Sequence, residues 1–158
     1  MATASSPPGV FRSLLILHKA MLVGQIIFAL VAFYLVYSNT FPFQNLRELD
    51  RILQVVAICC SVGGVYAGLL LFKRRVLVAR EIQAGPKAKL TLYRQACLFQ
   101  WSLIEGPCFI VIIGFLLTHN YAFLALAAVL ILLFSMLAPS KLKIALQLKI
   151  SEAEVDEL

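Results

Sequence analysis

The stretch Trp101-Ser-Leu-Ile-Glu-Gly-Pro-Cys-Phe-Ile-Val-Ile-Ile-Gly114 is apolar except for one acid, Glu105. It predicts a helix that crosses a lipid bilayer, since it lies within a run of the length that spanning helices need, about 20 mostly apolar residues. An ionised carboxylate deep in a bilayer is costly, so such residues usually face a partner, a water-filled path or a bound ion. Pro107 removes its own N–H and crowds the carbonyl of Leu103, which predicts a helix kink beside the acid.

The composition outside this stretch indicates the same class of protein. The chain is 61% hydrophobic and 14% charged, with a mean hydropathy of +0.91, whereas soluble domains are roughly 45–50% apolar and about 25% charged. We therefore predict an all-α integral membrane protein with a four-helix transmembrane domain over residues 11–140. The predicted spans are about 14–37, 53–72, 97–117 and 121–138. Residues 1–10 are expected to be disordered, and 141–158 to form a short amphipathic cytoplasmic helix with an acidic end.

The lysines and arginines predict the orientation. Twelve of the 14 lie in the N-terminal segment, the 73–94 segment and the C-terminal tail, and two lie in 43–52. Cytoplasmic segments carry this excess, which places both termini in the cytoplasm of a multi-pass protein of the cell (inner) membrane. This distribution does not favour nucleic acid as a partner, despite the net charge of +6. We predict 73–94 to be a basic cytoplasmic loop that could bind a protein partner or lipid headgroups.

Glu105 is the candidate ion or proton site. It lies eight residues into the third span, about 12 Å deep at the rise of a helix. The same depth on the second span falls near Gly63 and Gly64, which would leave room for a carboxyl, a water or a small ion. Gln25 and Ser102 are candidate hydrogen-bond partners. The alternative is that a protonated Glu105 only joins helices through a hydrogen bond.

Small residues in the second span predict close helix packing. Gly64 and Gly68 are four residues apart, a spacing that lets a neighbouring backbone approach. The two histidines, His18 and His119, are expected at opposite membrane boundaries.

Residues 53–118 resemble the two-helix hairpin of the ATP synthase c subunit, the proteolipid of rotary ATPase rings. The glycine-rich stretch is Ser61-Val-Gly-Gly-Val-Tyr-Ala-Gly68, and the second helix carries Ser102-Leu-Ile-Glu-Gly106. Between them the family has a contiguous Arg-Gln-Pro element, here spread over Arg80, Gln83 and Pro86. The resemblance implies that Glu105 holds the ion-carrying position of a cytoplasmically connected hairpin.

The sequence favours two functions and no catalytic one. It has no nucleophile elbow, zinc-binding helix motif or phosphate-binding glycine loop, so we expect no enzyme, no metal and no cofactor. Its four cysteines, Cys59, Cys60, Cys97 and Cys108, lack metal-site spacing. The first hypothesis is proton or cation handling through Glu105, in the lipid bilayer and as a homo-oligomer, since four short helices leave little interior for a water path. The second is a non-catalytic membrane scaffold or assembly subunit.

Overall fold

The computed structural model of the chain describes residues 9–39, 47–83 and 85–151, and in these residues every regular element is a helix. The five helices are α1 (Val10–Tyr37), α2 (Arg47–Glu81), α3 (Pro86–Thr118), α4 (Tyr121–Met136) and α5 (Lys141–Leu148). Three of them, α1, the Leu49–Glu81 part of α2, and α3, are long and apolar enough to cross a membrane. The prediction of an all-helical membrane protein is therefore confirmed at this level. Residues 1–8 of the predicted N-terminal segment 1–10 and residues 152–158 of the predicted tail 141–158 lie outside the described residues.

The segment 73–94, predicted as a loop, is mostly helical. α2 continues to Glu81 and α3 begins at Pro86, so only residues 82–85 connect them. Arginine and lysine are good helix formers, and apolar residues keep the two helices packed beyond the predicted spans, among them Val76, Ala79, Leu90 and Tyr93. Proline is well suited to the first turn of a helix, where its missing N–H has no helical partner. The basic residues therefore sit on a helical hairpin and not on a flexible loop.

The C-terminal part of the fold is a short helix followed by a sharp bend. α4 has 16 residues, fewer than the roughly 20 that a straight span needs. α5 follows at an angle of 69°, and the two helices pass together as one candidate span. Length and composition thus allow three or four spans. Helix α5 forms where the amphipathic tail was predicted, with Ile144 and Leu148 buried while Leu142 and Leu146 are exposed.

α3 is the central helix of the bundle, because α1, α2 and α4 all pack against it. Two apolar clusters surround it. One includes Leu14, Trp101, Phe134 and Ile144 and lies where residues 82–85 connect α2 to α3, which we call the connection end. The other includes Phe115 and lies towards the turn between α3 and α4, which we call the Asn120 end. The start of α1 and all of α5 therefore lie at the connection end.

The contact between α2 and α3 is closest at Gly64. A Cβ atom added there would fall on the carbonyl oxygen of Leu103 and 2.7 Å from Cγ of Pro107. At Gly68 a Cβ would lie 3.3 Å from the carbonyl oxygen of Gln100. The Leu103 carbonyl is the one that loses its helical N–H donor to Pro107. The α2 backbone therefore packs against the place in α3 where one helical hydrogen bond is missing.

We expect Gly64→Leu to lower the free energy of unfolding by about 1–3 kcal/mol, the usual cost of overpacking. Gly63→Leu is the matched control, because a Cβ at Gly63 meets nothing within 4 Å. Thermal unfolding in detergent, followed by circular dichroism, measures both variants. Equal unfolding midpoints for the two would contradict the packing of Gly64 against Pro107.

Candidate ion or proton site

Glu105 lies on α3 and is partly buried. Its carboxyl interacts with the side chain of Gln25 on α1 and lies close to the thiol of Cys108. Cys108 is fully buried, and Glu105 retains some exposure at the surface of the bundle. The acid is thus at the seam between two spanning helices, with one side towards α1 and the other open to the bundle's surroundings.

Gln25 is fully buried, with a relative exposure of 0%. Neither its Oε1 nor its Nε2 forms a hydrogen bond of good geometry with any described residue. The Glu105 carboxyl approaches this amide without completing such a bond. A buried polar group without a partner costs about 1–3 kcal/mol. The fold therefore leaves the buried amide of Gln25 without a hydrogen bond, next to Glu105 in the apolar stretch of α3.

The glycine pair does not lie across from Glu105 as expected. Gly64 contacts Leu103 and Pro107, and Gly63 is exposed. Each residue of an α-helix turns the direction by about 100°, so Glu105 points about 200° away from Leu103 and from Pro107. The prediction matched depths along the helices and left out this rotation. Gly64 therefore lies on the face of α3 opposite to the carboxyl.

Ser102 faces outward. Its side chain is exposed, and its hydroxyl donates to the backbone carbonyl of Leu98, one turn earlier, at 2.9 Å. Of the four predicted companions of Glu105, the structure brings only Gln25 to the carboxyl.

His18 is buried between helices, with 2% of its surface exposed. Its expected place at a membrane boundary concerns depth in the bilayer and stays a prediction. Its Nε2 lies 3.1 Å from the backbone carbonyl of Phe134 on α4. The imidazole stacks on the Phe134 ring at 4.7 Å and meets the Trp101 ring edge-on at 5.0 Å. This histidine therefore joins α1, α3 and α4 near the connection end.

The spacing of buried residues along α1 could have revealed His18. Leu14, His18, Gln25 and Ala32 are the buried residues of this helix, and at about 100° per residue they share one face. Two polar residues on an otherwise apolar stripe were visible in the sequence. Nothing in the sequence showed that this stripe faces Trp101 and Glu105.

We call the four side chains His18, Gln25, Trp101 and Glu105 the polar seam. His18 contacts Trp101 at the connection end, and Gln25 meets Glu105 about 10 Å further along α1 at the helical rise. The indole Nε1 of Trp101 is also buried without a hydrogen-bond partner among the described residues. The polar seam therefore contains two side chains with unpaired polar atoms, Gln25 and Trp101, and of these Gln25 interacts with the Glu105 carboxyl.

Asp50 lies at the Asn120 end of the bundle and holds helices together. Nδ2 of Asn120 donates to both carboxylate oxygens of Asp50, at 3.2 and 3.0 Å, and Nε2 of Gln54 donates to Asp50 at 3.3 Å. Oδ1 of Asn120 accepts from the backbone N–H of Ala122 and so caps α4. Asp50 thus ties the start of α2 to the turn between α3 and α4.

No group of three or more His, Cys, Asp and Glu side chains that could hold a metal ion occurs in residues 9–39, 47–83 and 85–151. All four cysteines are free thiols. The chain matched no protein-family model, no curated protein and no solved structure with which it was compared. The resemblance to the ATP synthase c subunit stays a hypothesis.

Replacing Gln25 should reveal its unsatisfied amide. We expect Gln25→Leu to leave the free energy of unfolding unchanged or to raise it by up to about 2 kcal/mol, since it removes a buried unpaired polar group. Gln54→Leu is the matched control and should lower it by about 1 kcal/mol, because the Gln54 amide does bond to Asp50. Thermal unfolding in detergent compares the two. A larger loss in Gln25→Leu would show that its amide is satisfied in the folded protein.

Proposed function

We propose that this chain is a small polytopic membrane protein that handles protons or a small cation through Glu105. The observation that carries the proposal is the fully buried, unpaired amide of Gln25 beside a partly exposed carboxyl in the seam of two spanning helices. Ionisable residues within membrane spans usually mark ion or proton pathways. A carboxyl that served only to join helices would be expected to complete its hydrogen bond.

The chemistry of an amide suits a carboxyl that alternates between two forms. Gln25 can donate from Nε2 to a carboxylate, or accept at Oε1 from a protonated carboxyl. Its carbonyl oxygen and the carboxylate oxygens are also ligands that hard cations prefer. Gln25 and Glu105 could therefore bind either a proton or a cation, with a change in the rotamer of the Gln25 side chain.

The exposed side of Glu105 supports a homo-oligomer. Ser102 and Gly106, its neighbours on α3, are both exposed, and a Cβ at Gly106 would meet nothing within 4 Å. A second copy packed over this surface would cover the carboxyl and complete a path between protomers, since the interior of one bundle is filled by the two apolar clusters around α3.

The proposal includes four spans with both termini in the cytoplasm of the cell (inner) membrane. The count treats α4 with its bend as the fourth span, and the orientation follows the excess of lysine and arginine at the connection end. The similarity to the ATP synthase c subunit supports the same arrangement, because α2 and α3 are two long helices with a short connection and the acid lies on the second. This support is at the level of the hairpin alone.

The second candidate function is a membrane scaffold or assembly subunit. The ends of α2 and α3 at the connection end carry seven lysines and arginines between residues 73 and 94. Held on a rigid helical hairpin, they present a charged surface of fixed shape, which favours docking of a partner protein. Ion handling requires Glu105 to exchange protons, whereas a scaffold requires only its shape.

Carbodiimide modification of Glu105 in lipid bilayers, read by mass spectrometry, separates the two functions. These reagents react with protonated carboxyls, so we expect labelling that falls as the pH rises through the range from about pH 5 to about pH 9. Protection by sodium would identify a cation as ligand. The Glu105→Gln variant measures background labelling. Labelling of Asp50, which lies at the Asn120 end, is the internal comparison in the same sample. Absence of labelling over this range in folded protein would contradict ion handling and favour the scaffold.

Thiol labelling tests the topology. In a variant without the native cysteines, we expect Asn39→Cys to react with an impermeant maleimide in intact cells, and Gln83→Cys to react only after permeabilisation, because the basic side of a membrane protein stays in the cytoplasm. The reverse pattern would contradict the proposed orientation.

A further inference from the structure

Helix α5 folds back against the end of α2 and leaves a groove beside it. Ile144 and Leu148 of α5 are buried in the same apolar cluster as Val76 and Ala79 of α2. Next to this contact is a pocket of about 340 Å³ whose lining includes Phe72, Lys73, Val76, Arg80, Leu146 and Gln147. We call it the α2–α5 groove. Its volume falls in the range of small-ligand sites, about 300–1,000 Å³.

Two cations border the α2–α5 groove. Lys73 and Arg80 are seven residues apart on α2, so they lie on the same face of the helix. Neither forms an ion pair with a described acid, unlike their neighbour Arg75, whose guanidinium lies 3.8 Å from the centre of the Phe99 ring on α3. Lys143 of α5 is also engaged, with its Nζ 3.5 Å from the carbonyls of Met136 and Ala138. Lys73 and Arg80 are thus available to an anion in the groove.

The remaining lining combines apolar and polar surface. Phe72 and Val76 contribute apolar walls. Oε1 of Gln147 is buried without a hydrogen-bond partner among the described residues, and a change of the Gln147 rotamer would turn this unused acceptor towards the groove. A ligand that matches all three features is an anionic amphiphile that also carries hydrogen-bond donors.

The position of the groove selects the source of that ligand. Lys73 is the first charged residue after the apolar run of α2 that begins at Ile52, which is where a spanning helix meets the headgroup layer. From the groove towards the centre of the bundle, α2 exposes Leu69, Leu70 and Tyr66, an apolar surface along which acyl chains can lie. Arginine binds phosphate through paired N–H donors and lysine binds it as a point charge.

We propose that the α2–α5 groove binds the headgroup of one anionic glycerophospholipid. The phosphate lies between Lys73 and Arg80, a headgroup hydroxyl donates to Oε1 of Gln147, and the acyl chains follow α2 into the bilayer. The bound lipid holds α5 against α2 at the connection end. This site is independent of Glu105, so its failure would leave the proposed ion handling untouched.

The test measures lipid binding to the delipidated full-length protein in detergent by native mass spectrometry. The probes are phosphatidylglycerol and phosphatidylcholine with identical acyl chains. We expect one phosphatidylglycerol to bind roughly tenfold or more tightly than phosphatidylcholine, and Lys73→Ala/Arg80→Ala to abolish this preference, since each cation near an anionic lipid contributes to binding. Equal binding of the two lipids to the wild-type protein would overturn the proposal.

The matched control is Lys87→Ala/Arg94→Ala. Lys87 and Arg94 lie on α3 at nearly the same distances from the 82–85 connection as Arg80 and Lys73. Their replacement removes the same positive charge, but at positions that do not line the groove. The control should bind phosphatidylglycerol within about twofold of the wild-type protein, because its groove is intact. Equal losses in the two double variants would show general attraction to a basic surface and overturn the proposal.

Two further variants distinguish a lost site from a misfolded protein and from another occupant. Leu146→Trp fills the groove from an exposed position without a change of charge, and it should remove the bound lipid while circular dichroism stays unchanged. Retained binding in this variant would overturn the proposal. Deletion of residues 152–158 removes four acids, and lipid binding should persist. Lipid binding that appears only after this deletion would make the acidic tail the occupant and overturn the proposal.

Discussion

The close approach of α2 to α3 at Gly64 is the contact on which the rest of the bundle depends. Pro107 donates no N–H, so the carbonyl of Leu103 loses its helical partner. In a lipid environment no water replaces that donor, and an unsatisfied backbone group there is costly. The α2 backbone, without a side chain at Gly64, lies against this carbonyl and Pro107. Weak Cα–H donors of the kind found between packed helices can then face the freed oxygen.

This contact also determines where Glu105 points. Because α2 occupies the face of α3 that carries Leu103 and Pro107, the carboxyl is directed about 200° away, towards α1. There it meets Gln25, whose amide is buried and unpaired. His18, on the same face of α1, is a polar side chain that does have a partner. Its Nε2 bonds to the backbone carbonyl of Phe134, and its ring packs against the rings of Phe134 and Trp101. Because of this difference we propose a function for Gln25 and Glu105, whereas the contacts of His18 join helices.

The charged residues divide into engaged and available groups. Asp50 is held by Asn120 and Gln54, and Arg75 lies over Phe99. Lys73 and Arg80 border the α2–α5 groove and form no ion pair with an acid in the part of the chain that the structure describes. Sequence composition counts all these residues alike, whereas their contacts separate those that hold helices together from those that can bind a ligand.

The sequence by itself determined the class of the protein and the acid of interest. Apolar runs of spanning length predict membrane helices in any arrangement, because the bilayer sets that length. Glu105 stands out for the same reason, as a carboxyl within such a run, and a short amphipathic helix in the tail 141–158 followed from the apolar spacing of residues 141–150. The length of α2 and α3 was underestimated, because basic residues were taken to end a helix although lysine and arginine are good helix formers.

Only the tertiary structure decided which residues surround the acid. Depth along a helix follows from residue number, but the direction of a side chain depends on which neighbour takes which face, and that is a matter of packing between distant segments. Gly64 was therefore assigned to the wrong side of α3, the contacts of His18 with Trp101 and Phe134 were not predicted, and the groove between α2 and α5 was not anticipated. Each depends on a contact between residues far apart in the chain, which no local pattern encodes.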